Sequence, residues 1–153
     1  SLDTAFNASG AKPGTRIETI GDGNSSYATG VARQSDGKLV IAGSCNDAGT
    51  SDFCLLRLTA AGAVDSTFGT AGKAVFDIGP GTTDMPYALA PRPGGGWYVA
   101  GQSDLSMHLL RVDANGALVA RGDHDDGRVL EGGVLAHAPD GQQRARLQDR
   151  QAE

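Results

Sequence analysis

The sequence lacks the long apolar runs and the basic charge that mark membrane-spanning and nucleic-acid-binding proteins. Only 5% of its 153 residues are aromatic, and no run approaches the roughly 18 apolar residues that a membrane helix needs. Lysine and arginine total 13 against 18 acidic residues, which gives a net charge of −5. A protein that binds nucleic acid or an anionic membrane needs a stripe of basic residues. We therefore expect neither nucleic acid as a partner nor insertion into a membrane.

Motifs of catalysis are also missing. The chain has no G-x-S-x-G nucleophile elbow, and no Walker or dinucleotide glycine pattern opens a helix. Its histidines, His108, His124 and His137, have none of the spacings typical of zinc sites. These absences favour a protein that is not an enzyme and has no resident cofactor.

Cysteine is scarce, with Cys45 and Cys54 nine positions apart. This spacing suits a disulfide across the base of a hairpin loop, and a pair of free thiols is the alternative. In the chain-entropy model, a disulfide that closes so short a loop adds roughly 2 to 3 kcal/mol to the stability of the folded state. If the bond forms, the compartment is oxidising and the protein is extracytoplasmic.

Glycine, by contrast, is abundant, with 23 residues, and much of it lies in turns. In the stretch 32–43, an apolar run enters a Ser-Asp-Gly turn and a second apolar run leaves it, which predicts a β-hairpin. A weaker copy of this stretch occupies 90–101, 58 positions later. The chain is therefore predicted to be a repeat protein.

Each copy contains four strand candidates. They lie at 16–20, 27–33, 39–43 and 53–58 in the first copy, and at 73–78, 87–90, 97–101 and 107–112 in the second. Four short antiparallel strands in each unit predict an all-β fold built of β-propeller-like blades. The predicted divisions are repeat unit 1 (1–62), repeat unit 2 (63–116), a degenerate partial repeat (117–142) and a polar tail (143–153).

Several spaced elements resemble the delta-60 repeat. The matching segments are Leu-Asp-Thr-Ala-Phe at 2–6, Ser-Asp-Gly-Lys at 35–38, Ile-Ala-Gly at 41–43, Asp-Phe at 52–53, Arg-Leu at 57–58, Gly62 and Val-Asp-Ser-Thr-Phe-Gly-Thr-Ala-Gly-Lys at 64–73. The likeness covers roughly 1–116. That family occurs mostly in bacterial secreted and surface proteins and is assigned to β-propellers. The resemblance implies propeller blades and a location in the periplasm, on the cell surface or outside a bacterium, and it supplies no catalytic residues.

Two units and a fraction do not make a closed ring, which takes about four blades or more. The chain is then an incomplete propeller from a longer protein, a propeller completed by oligomerisation, or a small sandwich of two units. We favour self-association, and the most specific form of this hypothesis is a symmetric ring of two-blade protomers. The expected function is a non-enzymatic binding or assembly module. The alternatives are a carbohydrate-binding propeller and a hydrolase or lyase whose site forms between assembled blades.

Four aromatic residues are candidates for binding a ligand such as a sugar: Trp97, Tyr98, Tyr87 and Tyr27. Their rings could stack on a ligand in a groove between blades. Trp97 aligns with Leu39, however, so a position in the core is the competing interpretation for it.

Charged residues give two further predictions. Asp123, Asp125 and Asp126 precede Gly127 and resemble part of a Ca²⁺ loop, although an acidic turn in solvent is the competing interpretation. Arg57 and Arg111 recur at equivalent positions, which predicts a structural ion pair with the aspartate of the Leu-Asp or Val-Asp connector.

Overall fold

The computed structural model describes residues 1–22, 25–47, 49–79 and 81–121, in which every regular element is a strand. The eight strands are β1 (Ser26–Arg33), β2 (Leu39–Asp47), β3 (Thr50–Leu58), β4 (Lys73–Phe76), β5 (Asp84–Pro91), β6 (Trp97–Ser103), β7 (Ser106–Val112) and β8 (Leu118–Arg121). Strands β1 to β4 form one four-stranded antiparallel sheet, called sheet 1, and β5 to β8 form a second, called sheet 2. The prediction of an all-β fold with four-stranded antiparallel units is confirmed.

The two sheets share their register as well as their order. In sheet 1, Gly30 pairs with Ala42 and the pairing shifts by one residue just before it. In sheet 2, Ala88 pairs with Ala100 and shows the same irregularity at the same place. A shared bulge is a strong sign of repetition, because bulges are specific local features of a strand pair.

The boundary between the two sheets does not coincide with the boundary between the two sequence repeats. Strand β4 comes from the head of the second repeat, yet it pairs with β3 of the first, where Phe76 lies opposite Phe53. The segment 16–20 holds the equivalent place at the head of the first repeat, and the prediction of a strand there was wrong. A strand needs a neighbour to satisfy its backbone groups, and within the described residues no strand of a preceding sheet lies beside 16–20.

The core lies between facing surfaces of the two sheets. It is formed by the buried side chains of Val40, Ala42, Phe53, Leu55, Phe68, Ala74, Phe76, Ile78, Trp97, Val99, Leu110 and Val112. Gly101 lies where a Cβ would overlap the ring of Phe53, so its lack of a side chain lets the sheets approach closely. Facing sheets that bury apolar side chains between them are what adjacent propeller blades require.

The Cys45–Cys54 disulfide is present, and its Cα atoms are 5.9 Å apart, within the ordinary range. Cys45 lies opposite Asp52 on the neighbouring strand, and Gly43 lies opposite Cys54. The bond therefore runs diagonally between β2 and β3 on the face of sheet 1 that points away from sheet 2.

Candidate functional site

The most elaborate polar arrangement in the described residues lies at Arg57, near the end of β3. Its Nε donates to Asp65 Oδ2 at 2.9 Å, and its two terminal nitrogens donate to Thr67 Oγ1 at 2.9 Å and to the carbonyl of Ala114 at 2.7 Å. The guanidinium also lies 4.7 Å from the centre of the Phe68 ring, a distance at which a cation is attracted to an aromatic face. One buried arginine thus joins sheet 1, the connector at 64–72 and a turn of sheet 2.

Asp65 is held as a carboxylate by this arrangement. Its Oδ1 accepts the Thr67 hydroxyl at 2.7 Å and the Thr67 amide at 3.2 Å, and Lys38 Nζ lies 3.1 Å from Oδ2. The Thr67 hydroxyl, with Lys38 and Arg57 beside it, holds the pKa of Asp65 well below its usual range against the effect of burial. The predicted ion pair between Arg57 and the connector aspartate is confirmed.

The connector also reaches forward onto sheet 2. Phe68 is fully buried against Gly116, and Gly69 N donates to the carbonyl of Asn115 at 2.7 Å. A Cβ at Gly116 would lie 3.0 Å from the Phe68 ring, so the glycine makes room for it. The connector of the second repeat is therefore fixed both to the last turn of its own repeat and to Arg57 of the repeat before it.

The head of the first repeat has the same local structure. Asp3 Oδ1 accepts the Ala5 amide at 3.0 Å, and Phe6 N donates to the Asp3 carbonyl at 3.1 Å, as Phe68 N does to the Asp65 carbonyl. Asn7 N donates to the carbonyl of Ala61 at 2.7 Å, the counterpart of the bond from Gly69 to Asn115. Asp3 is exposed and forms no ion pair with any described residue. The head is thus preformed but lacks the arginine that its counterpart binds.

Arg111, the equivalent of Arg57 in sheet 2, lacks an aspartate partner among the described residues. It lies opposite Tyr98, as Arg57 lies opposite Val40. Val119 stands where sheet 1 has Asp65, and the Nε of Arg111 is buried without a hydrogen-bond partner among the described residues. The predicted ion pair is therefore absent for Arg111 in the part of the chain that the structure describes.

The face of sheet 2 that carries Arg111 is largely open. We call it the outer face and define it by the residues Tyr98, Ala100, Met107, Leu109 and Arg111. These residues are the counterparts of Val40, Ala42, Phe53, Leu55 and Arg57, which sheet 2 buries. Met107 is 95% exposed where Phe53 is fully buried. Among the described residues, this face of the repeat is covered in sheet 1, whereas Met107 and Leu109 are exposed in sheet 2.

Three aspartates meet where the chain crosses from sheet 1 to sheet 2, and sequence reasoning missed them. Asp52 in β3, Asp77 after β4 and Asp84 at the start of β5 place carboxylate oxygens within 4.8 Å of one another. Asp52 and Asp84 are buried and Asp77 is exposed. We call this group the acidic cluster. No sequence motif marks it, because its members are brought together only by the pairing of β3 with β4 and by the crossover.

The acidic cluster changes the ionisation of Asp52. Burial, with the nearby charges of Asp77, Asp84 and Asp47, raises the pKa of Asp52 to about 6. Asp84 is better supported, since its Oδ2 accepts the Ile78 amide and its Oδ1 accepts the Thr82 hydroxyl, each at 2.8 Å. The Oδ1 of Asp52 is buried with no hydrogen-bond partner among the described residues.

The structure divides the predicted ligand-binding aromatics between the core and the surface. Trp97 is 1% exposed in the core between the sheets, so its ring is not available to a ligand at the surface. Tyr27 lies on sheet 1 and is 67% exposed, whereas Tyr87 and the half-buried Tyr98 lie on sheet 2. The predicted Ca²⁺ residues Asp123, Asp125 and Asp126 fall outside the described residues.

A shallow groove of about 330 Å³ lies between the two sheets at β4 and β8. It is lined mostly by glycine and apolar residues, and Thr70 and Lys73 are its residues with polar side chains. Such a lining offers few converging polar groups for a small ligand. The connector and the acidic cluster are therefore the stronger candidates for function.

The two repeated four-stranded sheets, packed face to face and joined by a connector, are consistent with adjacent blades of a β-propeller. A family model described as a beta-propeller domain of unknown function (DUF5122) matches residues 34–68. These residues run from the hairpin turn through β2 and β3 to Phe68 of the connector. The match supports a propeller-type repeat family and does not single out the delta-60 repeat. Neither the curated proteins nor the solved structures contain a match.

Two observations bear on location. The disulfide fits an oxidising, extracellular environment. Among the residues that the structure describes, no helix has the length and apolar character to cross a membrane.

Proposed function

We propose that this chain is a non-enzymatic assembly module whose copies join head to tail into a closed β-propeller. The observation that carries the proposal is the pair of unmatched ends: a preformed head with an unpaired Asp3, and an outer face with an unpartnered Arg111 Nε. The interface between sheets 1 and 2 is the template for this contact. In it, Asp65 of the later repeat binds Arg57 of the earlier one.

The exposed apolar surface supports a partner of this shape. Met107 is 95% exposed and Leu109 is 46% exposed on the outer face, and their counterparts Phe53 and Leu55 are buried by the following sheet. In a second copy, sheet 1 is the counterpart of sheet 2. It is preceded by the head of the first repeat, which has the same local structure as the connector. A head-to-tail contact of this kind either closes into a ring or continues as a filament.

Strand β8 has to be accommodated in this arrangement. It covers the edge of β7 over four residues and pairs Val112 with Leu118, as Leu58 pairs with Val64 in sheet 1. The connector that follows Val64 has no equivalent after Leu118, because Val119 and Gly122 replace the aspartate and the phenylalanine. In the assembly, the head of the incoming copy replaces β8 along this edge, and its segment 16–20 gains the neighbour that it lacks.

The test is the native mass, measured by light scattering at micromolar concentration. We expect two or three times the 15.6 kDa mass of the chain, which corresponds to four or six blades. The single charge reversals Asp3→Arg and Arg111→Asp should each weaken association at least about tenfold, since each places like charges at the contact. The double variant should regain the wild-type mass.

Matched variants separate the contact from general effects of charge and folding. Asp104→Arg makes the same change of charge in the exposed turn between β6 and β7, at the opposite end of β7 from Arg111, and should leave the mass unchanged. Met107→Lys alters a side chain that is 95% exposed in one copy, so it should block association without disturbing the fold. A 15.6 kDa wild-type particle, or a larger one that none of these variants dissociates, would refute the proposal.

The proposal extends to location and family. It places the protein outside the cytoplasm of a bacterium, as a member of the delta-60 repeats, supported by the disulfide and by the connector sequence at 64–73. Protein purified without reductant should show no titratable thiol after denaturation, and two after reduction. Two free thiols in the unreduced protein would contradict the extracytoplasmic assignment.

A further inference from the structure

We propose that Asp52, Asp77 and Asp84 form a Ca²⁺ site that fastens sheet 1 to the crossover leading into sheet 2. This site is separate from the sequence-predicted residues 123–126 and does not depend on self-association. Its three carboxylates come from β3, from the residue after β4 and from the first residue of β5. An ion bound there would connect three segments with one set of bonds.

The charges at the acidic cluster have no cationic partner in the described part of the chain. None of the ion pairs there involves Asp52, Asp77 or Asp84. Asp52 and Asp77 each lie one residue beyond the Phe53–Phe76 pair, and their carboxylate oxygens are within 4.8 Å of each other, so their negative charges repel. A divalent cation would turn this repulsion into a set of favourable contacts.

The buried oxygen of Asp52 is the second observation that points to a ligand. Asp52 is 2% exposed, and its Oδ1 has no hydrogen-bond partner among the described residues. An unsatisfied buried oxygen is costly, and an unseen ion is one of the usual reasons for finding one. The Ile78 amide and the Thr82 hydroxyl hold both oxygens of Asp84 in place while leaving each a free lone pair.

One Ca²⁺ can span the carboxylate oxygens, and its flexible coordination suits ligands from three segments better than the strict octahedron of Mg²⁺ does. Oxygens on opposite sides of one Ca²⁺ lie up to about 5 Å apart, because each bond is about 2.3 to 2.6 Å long. The corresponding limit for Mg²⁺ is about 4.2 Å, with a stricter octahedral geometry. Carboxylate oxygens within 4.8 Å of one another therefore fit one Ca²⁺ without rearrangement. Backbone carbonyls and water would complete the shell, as at other calcium sites.

The test uses the full chain stripped with EDTA and titrated with CaCl2. We expect one saturable binding event by calorimetry, and a rise in Tm of about 3 to 5 °C at about 1 mM Ca²⁺, the range in which extracellular modules bind it. MgCl2 should raise Tm less. Protons should compete, so that binding weakens at least tenfold between pH 7.5 and pH 5.

Asp77→Asn is the main variant because Asp77 is exposed and its loss should not prevent folding. It should abolish the Ca²⁺ response and raise Tm in EDTA, since it removes one of two charges that repel each other. Asp36→Asn is the matched control and should keep the full response. The triple variant Asp123→Asn, Asp125→Asn and Asp126→Asn should also keep it.

Three results would overturn the inference. They are the absence of binding heat and of a Tm shift, a response that survives Asp77→Asn, and a response that the triple variant alone removes. The Ca²⁺ titration is repeated with the Met107→Lys variant, which should not associate, so that calcium binding is tested separately from assembly. A calcium site built within one copy should respond equally whether or not the copies associate.

Discussion

Arg57 and Arg111 occupy equivalent positions in the two sheets, and their different surroundings carry most of what the structure says about function. Arg57 is 5% exposed and binds a carboxylate, a hydroxyl and a carbonyl. A buried guanidinium of this kind is stable only when its donors are paired. Arg111 has the same place in its strand, but the segment that follows it has Val119 where the connector after Arg57 has Asp65. This contrast is the basis of the proposal that a second copy binds at Arg111.

Asp65→Asn should destabilise the fold by about 3 to 5 kcal/mol, because it leaves the charge of Arg57 buried without its counterion. The same substitution at Asp3, in the same local turn but without an arginine, should change stability by no more than about 0.5 kcal/mol. Urea unfolding in the Met107→Lys background compares the two without a contribution from association. Equal losses for the two variants would contradict the role assigned to Arg57.

The effect of Asp65→Asn should depend on pH. The pKa of Asp65 in the folded state lies below its ordinary value of 3.8, so its stabilisation is fully present above about pH 4. It is lost as the pH falls through the lowered folded value. The difference in stability between wild type and Asp65→Asn should therefore be constant from pH 5 to 8 and shrink in stronger acid, as measured by unfolding at each pH.

At the scale of the elements, strand β4 and the segment 16–20 show that a strand depends on its neighbour. Both follow a connector of the same type, but only β4 has a β3 beside it. Ile17 is 85% exposed, whereas Ala74 and Phe76 are buried. The same kind of sequence is thus a strand where β3 lies beside it and irregular chain where no described strand does.

Strand β2 gives a test of how tightly one sheet is built. A Cβ on Gly43 would overlap the carbonyl of Tyr27 in β1, where the backbone cannot yield as a flexible side chain would. Gly43→Ala should cost about 1 to 3 kcal/mol, as overpacking does elsewhere. Gly30→Ala is the matched control, because its Cβ would meet Leu89 at an ordinary 3.7 Å. Chemical denaturation should show little or no loss for it, and a loss as large as that of Gly43→Ala would refute the steric argument.

At the scale of the whole molecule, the residues that the structure describes form two blade-like sheets with unlike ends. One end offers a preformed head and the other an apolar face with an unmatched arginine. Repeat proteins need their terminal units capped, because each unit buries its faces only against neighbours. Open ends of this kind explain why self-association is the function proposed here, and why the acidic cluster within one copy needs a separate explanation.

The sequence by itself determined the turns, the repeat and the strands β1 to β7. Its alternating apolar residues, the glycine turn at Gly37 and the 58-position offset of the hairpins act over a few neighbouring residues, so they can be read directly. The partnership of Arg57 with the connector aspartate could also be predicted, because both members recur at fixed places in the repeat.

Only the tertiary structure decided which sheet each strand joins and which distant residues meet. The pairing of β4 with the preceding sheet moved the sheet boundary away from the repeat boundary and brought Asp52 against Asp77 and Asp84. The packing of sheet 2 against sheet 1 buried Trp97 in the core. Such contacts join residues far apart in the chain, and their energies depend on burial and on the packing of whole sheets. No local pattern records them, because a residue's neighbours in sequence do not specify what faces it across a sheet.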